Sequence, residues 1–202
     1  MDQAHIGYTT WQQPERQIMP EVRRVRSQSP AAPIAFASAP VADPLVIEAP
    51  AFDRILPGQG LEWRVIPHLG RTEGAVAAFP QGQASSRIAD SARLEDDVDL
   101  PTGGDLAVEL QLVPTLDTDG RNALTVGVSL DDGPVEVLAD CLNPAPNATT
   151  TQEQRDWNAA VTDNVSAVIT HFPTVAPGPH VLRIWRIDDN VVLQRLVLRV
   201  AR

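Results

Sequence analysis

The sequence predicts a mainly β fold: an antiparallel, jelly-roll-like β-sandwich with one short helix, preceded by an irregular N-terminal tail. Three observations carry this. Apolar and polar residues alternate over many short runs, the period of a half-buried strand. Gly, Pro, Asp and Asn punctuate those runs as turns require. Strands and helices do not alternate along the chain, which argues against a nucleotide-binding α/β architecture.

Residues 1–26 are polar, with Tyr8 and Trp11 as their only large rings. Residues 27–44, SQSPAAPIAFASAPVADP, are rich in Pro, Ala and Ser and show neither helix nor strand periodicity, so a linker is expected there. The sandwich domain is expected over 45–202. Short strands are predicted at Leu45–Glu48, Glu62–Ile66, Ala75–Phe79 and Ala92–Leu100. In Asp105–Val113, Leu106, Val108, Leu110 and Leu112 share one face, opposite Glu109 and Gln111. In Ala123–Leu130, Leu124, Val126, Val128 and Leu130 repeat the pattern. Asp131-Asp132-Gly133-Pro134 then reads as a tight turn into a strand at Val135–Leu138. Asn143–Thr151 is a polar loop. In Asp156–Thr170, Trp157, Val161, Val165 and Val168 recur at helical spacing, which predicts a helix with Asp156 as its cap. Pro179–Ile187 and Val191–Val200 are expected to form a hairpin linked by Asp188-Asp189-Asn190.

A chain of 202 residues with 43% hydrophobic content can bury one good core and is too short for two full domains. The formal net charge of -10 weighs against nucleic acid and anionic membranes as partners, since both recruit basic surfaces. Cys141 is the single cysteine, which excludes an intrachain disulfide, and one Cys with four scattered His makes no zinc site. No metal and no cofactor are expected. No basic-then-apolar signal peptide and no run of membrane-spanning length are present, and the abrupt polar start after Met1 suits a fragment.

Four ordered stretches resemble the C-terminal domain of glycoside hydrolase family 115, the xylan α-1,2-glucuronidases. The first is Trp63-Arg64-Val65-Ile66-Pro67-His68-Leu69-Gly70-Arg71-Thr72, similar to that family's W-x-x-I-P-x-L-G-R-T. The second runs from Leu110-Gln111-Leu112-Val113-Pro114 to Val128-Ser129-Leu130-Asp131-Asp132-Gly133-Pro134. The third runs from Asp156-Trp157-Asn158 to Asp163-Asn164-Val165, and the fourth from Gly178-Pro179-His180 through Trp185 to Val191-Val192-Leu193-Gln194. At the N-terminus, His5 to Pro14 and Met19-Pro20-Glu21-Val22 resemble the stretch that closes the region behind the catalytic domain, so 1–26 is expected to be a remnant of that region. The family's E-A-E-H becomes Glu48-Ala49-Pro50-Ala51 and its L-E-Y-D-V becomes Leu94-Glu95-Asp96-Asp97-Val98, which removes an acid, a histidine and an aromatic.

The resemblance implies an accessory, structural domain of an enzyme that removes glucuronic acid or its 4-O-methyl form from xylan. Its catalytic residues would lie upstream, and none is assigned here. It implies as partners the upstream catalytic domains or a homodimer mate, with glucuronoxylan as substrate, and a periplasmic or secreted setting. A second reading is a free carbohydrate-binding module for acidic plant polysaccharide. Sugars stack on aromatic faces, so Trp63, Trp157 and Trp185 are the candidate platforms, with core or rim packing as the alternative for each, Trp63 and Trp157 ranking ahead of Trp185; His180 is expected to pack. Arg71, on a turn, is the candidate for bidentate pairing with a uronate carboxylate. Glu48 stands where related jelly rolls place a calcium ligand, but a hard cation wants about six or more oxygens.

Overall fold

A computed structural model describes residues 44–117, 120–121, 123–141 and 151–201, with 151–154 described by their backbone alone. The expected tail remnant and nearly all of the expected linker lie outside these residues, as does the polar loop before Thr151. Among the described residues eleven strands, all paired antiparallel, form two sheets. The first contains β3 (Glu62–Pro67), β4 (Gly74–Phe79), β11 (Val192–Ala201), β6 (Gly104–Leu112) and β9 (Ser166–Val175) in that order. β1 (Leu45–Glu48) pairs with the later part of β11, and β4 pairs with its start. The second sheet runs β2 (Arg54–Leu56), β5 (Arg93–Leu100), β10 (Gly178–Arg186), β7 (Leu124–Leu130) and β8 (Glu136–Asp140).

Alternation decides which side chains meet between the sheets. Leu106, Val108, Leu110 and Leu112 of β6, with Leu196 and Leu198 of β11, face Leu94 and Val98 of β5, Val126 and Val128 of β7, and Leu182 and Ile184 of β10. All are nearly inaccessible, and burying each stabilises the fold by about 1.5–3 kcal/mol before chain entropy is counted. The expected jelly-roll-like sandwich is the observed architecture.

Two expectations need correction. Pro179–Ile187 and Val191–Val200 do not pair, because β10 belongs to the second sheet and β11 to the first. The link between them is a crossing from sheet to sheet. Asp188 is buried there and accepts from Thr125 N (2.8 Å), Thr125 Oγ1 (2.5 Å), Ser85 Oγ (2.6 Å) and Arg121 Nη2 (2.6 Å). The neighbouring Arg186 is fully buried and donates to the carbonyls of Ala84 and Gln83 and to Ser86 Oγ. These bonds hold the crossover inside the molecule, whereas a hairpin tip would be solvated.

The helix, α1, spans Thr151–Asp163, and Asp156 lies within it. From Ser166 onward the chain is strand β9, paired with β6. Ser166, Val168, Thr170 and Phe172 turn inward at strand spacing, and Val161 is exposed. No helix among the described residues is long and apolar enough to cross a membrane.

Candidate functional site

The polar centre of the first sheet is Gln194. It occupies the irregularity in β11 between Leu193 and Arg195, where the strand exchanges β4 for β1 as its neighbour. Its amide is buried and tied on both sides. Oε1 accepts the Arg71 backbone N–H (2.7 Å), and Nε2 donates to the carbonyls of Leu112 (3.0 Å) and Asn164 (2.8 Å). One side chain thus joins the turn after β3, the end of β6, the exit from α1 and β11. These four segments come from the four stretches of the family resemblance. The turn must bring its backbone against that amide. Gly70 has φ +90°, and a Cβ there would overlap Gln194 Oε1, so only glycine fits.

Above Gln194, on the outer face of the sheet, lies a polar concavity of about 280 Å³ lined by Arg71, Thr72, Gln111, Val165, Gln194 and Arg195. Arg195 is engaged by Glu48 through Nε (2.7 Å) and Nη2 (2.6 Å). Glu48 is therefore an ion-pair partner here, and among the described residues no group of three or more His, Cys, Asp or Glu converges to hold a metal. Gln111 donates to Glu109 (2.8 Å), whose carboxyl is held below its ordinary range by that bond and by Arg199 in spite of burial. Arg71 is exposed, and its guanidinium makes no ion pair among the described residues. The mouth of the concavity thus carries one uncompensated positive charge. It can attract a carboxylate and contains no acid or base placed to cleave a bond.

The three candidate residues are not brought together. Trp63 is 2% exposed and belongs to the core between the sheets, so the expected sugar platform there is replaced by a packing role. Trp157 is half-buried on α1, outside the lining of the Arg71 concavity. Gln194 does not stand out as a functional residue by motif. It closes the fourth stretch of the resemblance, and its local signal is an amide next to Arg195 within the otherwise apolar run Val191–Leu198.

The described carboxylates include one perturbed pair. Asp96 is pushed up to about 7 by burial, then by its hydrogen bond with Asp53 and the charges of Asp53 and Asp97. Asp53 is held low by the Asp97 backbone N–H (2.9 Å) and by Asp96. The two carboxyls are bonded to each other directly. Glycosidase pairs stand roughly 5–9.5 Å apart to admit a sugar or a water, so this dyad does not have their geometry.

Comparison with protein families matches residues 42–202 to the glycosyl hydrolase family 115 C-terminal domain. Among solved structures, a family GH115 4-O-methyl-α-glucuronidase with specificity for decorated arabinogalactans superposes with a TM-score of 0.57 at 18% identity, over 78% of this chain and 18% of that one. An exo-β-1,3-galactanase from Phanerochaete chrysosporium gives 0.51 at 14% identity, over 78% of this chain and 29% of that one. A family 35 carbohydrate-binding module from Clostridium thermocellum gives 0.50 at 12% identity, over 78% of this chain and 98% of that one. At these identities the likeness is one of fold. Comparison with curated proteins finds no match.

Proposed function

From the premise that this chain belongs to the glycoside hydrolase family 115 C-terminal domain family, we propose that it is a non-catalytic accessory module of an α-glucuronidase acting on xylan. The chain spans 18% of the length of the solved family 115 enzyme it resembles, and so corresponds to a small part of such an assembly. The observation that carries the reading is an apolar concavity of about 220 Å³ where the sandwich begins, lined by Pro44, Leu45, Leu100, Pro101, Leu198 and Val200 among others. Leu45 in this lining is exposed, and Val46, next along β1 and outside the lining, is exposed on the other side of the strand. An apolar surface at the point where residues 1–43 join the domain suits the docking of upstream polypeptide, because contiguous exposed apolar area marks interaction sites. The enzyme would supply acid and base from its catalytic domains, and this module would supply shape.

The test has two arms. The purified chain incubated with aldouronic acids is expected to release no glucuronic acid. Mixed with a family 115 enzyme trimmed of its own C-terminal domain, it is expected to co-migrate in size-exclusion chromatography. Release of glucuronic acid by the chain alone, or separate migration of the two, defeats the proposal. The same column shows whether a second copy of this chain is the partner instead.

The exposed Arg71, without an ion pair among the described residues, favours a second reading, a binding module for acidic polysaccharide. It requires retardation in glucuronoxylan affinity gels that Arg71→Ala removes. Equal mobility of the native chain with and without polysaccharide counts against it.

A further inference from the structure

On the opposite outer face, that of the second sheet, lies a cluster that shares no residue with the Leu45 or Arg71 concavities. Trp185 on β10 is half-buried and donates its indole N–H to Ser129 Oγ on β7 (2.9 Å). The Arg93 guanidinium from β5 stacks over the ring, 4.9 Å from its centroid. Arg93 donates through Nε to Glu95 (2.8 Å), and Arg183 does the same (3.2 Å). Arg183 also donates to the Asp131 carbonyl and lies 3.6 Å from the exposed carboxylate of Asp132. The Asp131 carboxylate is engaged by His180 Nδ1 (2.7 Å) and the Val181 N–H (2.8 Å), which fixes the turn. Of these groups Trp185, Ser129, Arg93, Arg183, Asp131 and Asp132 line, together with Val135, an open concavity of about 380 Å³, toward the lower end of the roughly 300–1,000 Å³ usual for ligand pockets.

We infer that the Trp185 concavity is a binding subsite for a neutral pyranose oligosaccharide. Its lining carries two guanidiniums, Arg93 and Arg183, against two carboxylates, Asp131 and Asp132, so it offers no net attraction to a uronate. It does offer both halves of what vicinal sugar hydroxyls need, charged donors and charged acceptors a few ångströms apart. The terminal nitrogens of Arg93 have no partner among the described residues, and Asp132 holds only its long pair with Arg183. Arg93 covers the face of the indole, so the ring contributes only the part that borders the concavity, and with Val135 it supplies the apolar share of the lining. Glu95 holds Arg93 and Arg183 in place from beneath, so the donors are set before a ligand arrives. This inference does not rest on the docking proposal, and it differs from the Arg71 reading in face, charge and ligand.

The test is a titration followed at the Trp185 indole N–H by proton–nitrogen NMR, with the peak assigned by its loss in Trp185→Phe. The probes are xylohexaose, β-1,3-galactotriose and glucuronate. A neutral oligosaccharide is expected to shift the peak at about millimolar concentration. Asp132→Ala, at an exposed position, and Arg93→Met are each expected to weaken that response about tenfold, the loss of one charge-assisted hydrogen bond. Arg71→Ala is expected to leave it unchanged. Which neutral sugar acts distinguishes a xylan from a galactan source. The inference is overturned if neither neutral probe moves the peak by about 10 mM, if Asp132→Ala and Arg93→Met respond as the native chain does, or if glucuronate is preferred.

Discussion

At the scale of single residues, the fold commits its charged groups to structure. Glu95 shows this best. Burial acts to raise its carboxyl, yet the guanidiniums of Arg93, Arg54 and Arg183 together hold it below the ordinary range. Asp96 goes the other way and sets a testable pH dependence. With its folded value near 7 and an unfolded one of about 3.9, the folded state keeps a proton that the unfolded chain has released between those values. Stability from this group is therefore greatest at acid pH, falls as pH rises through that window, and levels off above it. Asp96→Asn keeps the donor to Asp53 and removes the titration. Urea unfolding at pH 5 and pH 8 is expected to show the variant gaining about 1–2 kcal/mol on the native protein between the two. A carboxyl sealed in a dry interior would give more; this pair borders an open groove, where water screens it. Equal differences at both pH values would show that Asp96 ionises normally. Residue identity alone gave no access to this. Leu94-Glu95-Asp96-Asp97-Val98 shows three acids in a row, and only the pleat assigns Glu95 to the outer face and Asp96 to the inner one.

At the scale of elements, the strands with strict alternation were legible because a single rule determines them. β6 and β7 place one apolar set against the core, and a slip of one residue would turn that set to water. Where two periods coincide, the rule is silent. Val168 fits a helical stripe through Trp157 as well as a strand from Ser166, and pairing with β6 decided for the strand. The Asp188-Asp189-Asn190 link reads as a turn by composition, and its partners Ser85, Thr125 and Arg121 lie too far along the chain for local patterns to reveal. The Gln194 junction was half legible. Its four contributing segments stood out by resemblance, but the reason they travel together is a contact across 123 positions. Gly70→Ala tests that reason. It is expected to cost about 2–3 kcal/mol, through left-handed backbone strain and displacement of the Gln194 amide. The Arg71 and Asn164 amide peaks should move together in an NMR spectrum. Gln194→Leu should disturb the same peaks, while a stability loss below about 0.5 kcal/mol for Gly70→Ala would mean that the turn is not held by this contact.

At the scale of the whole molecule, the features that carry the proposals lie on separate surfaces of the sandwich. The first sheet shows Arg71 on its outer face, the second shows Trp185 on the opposite one, and the apolar entry at Leu45 belongs to neither. Such a division predicts that docking can be removed without unfolding the domain. Leu45 and Val46 are 39% and 46% exposed, so their side chains already forgo much of the burial that would stabilise the fold. Replacing both with Ser is expected to move Tm by no more than a few degrees, in line with surface substitutions elsewhere. The same change removes apolar area that would be buried only on association. Full burial of a Leu or Val is worth about 1.5–3 kcal/mol, and roughly half of that remains available at each position. Association with the trimmed family 115 enzyme is therefore expected to weaken about tenfold or more, read by sedimentation or titration calorimetry at fixed salt. Because the interaction is apolar, raising the salt concentration should not weaken it, unlike contacts made by Arg71. If the double variant binds as the native chain does, the docking surface lies elsewhere; if it unfolds instead, β1 is part of the core and Leu45 belongs to its stability.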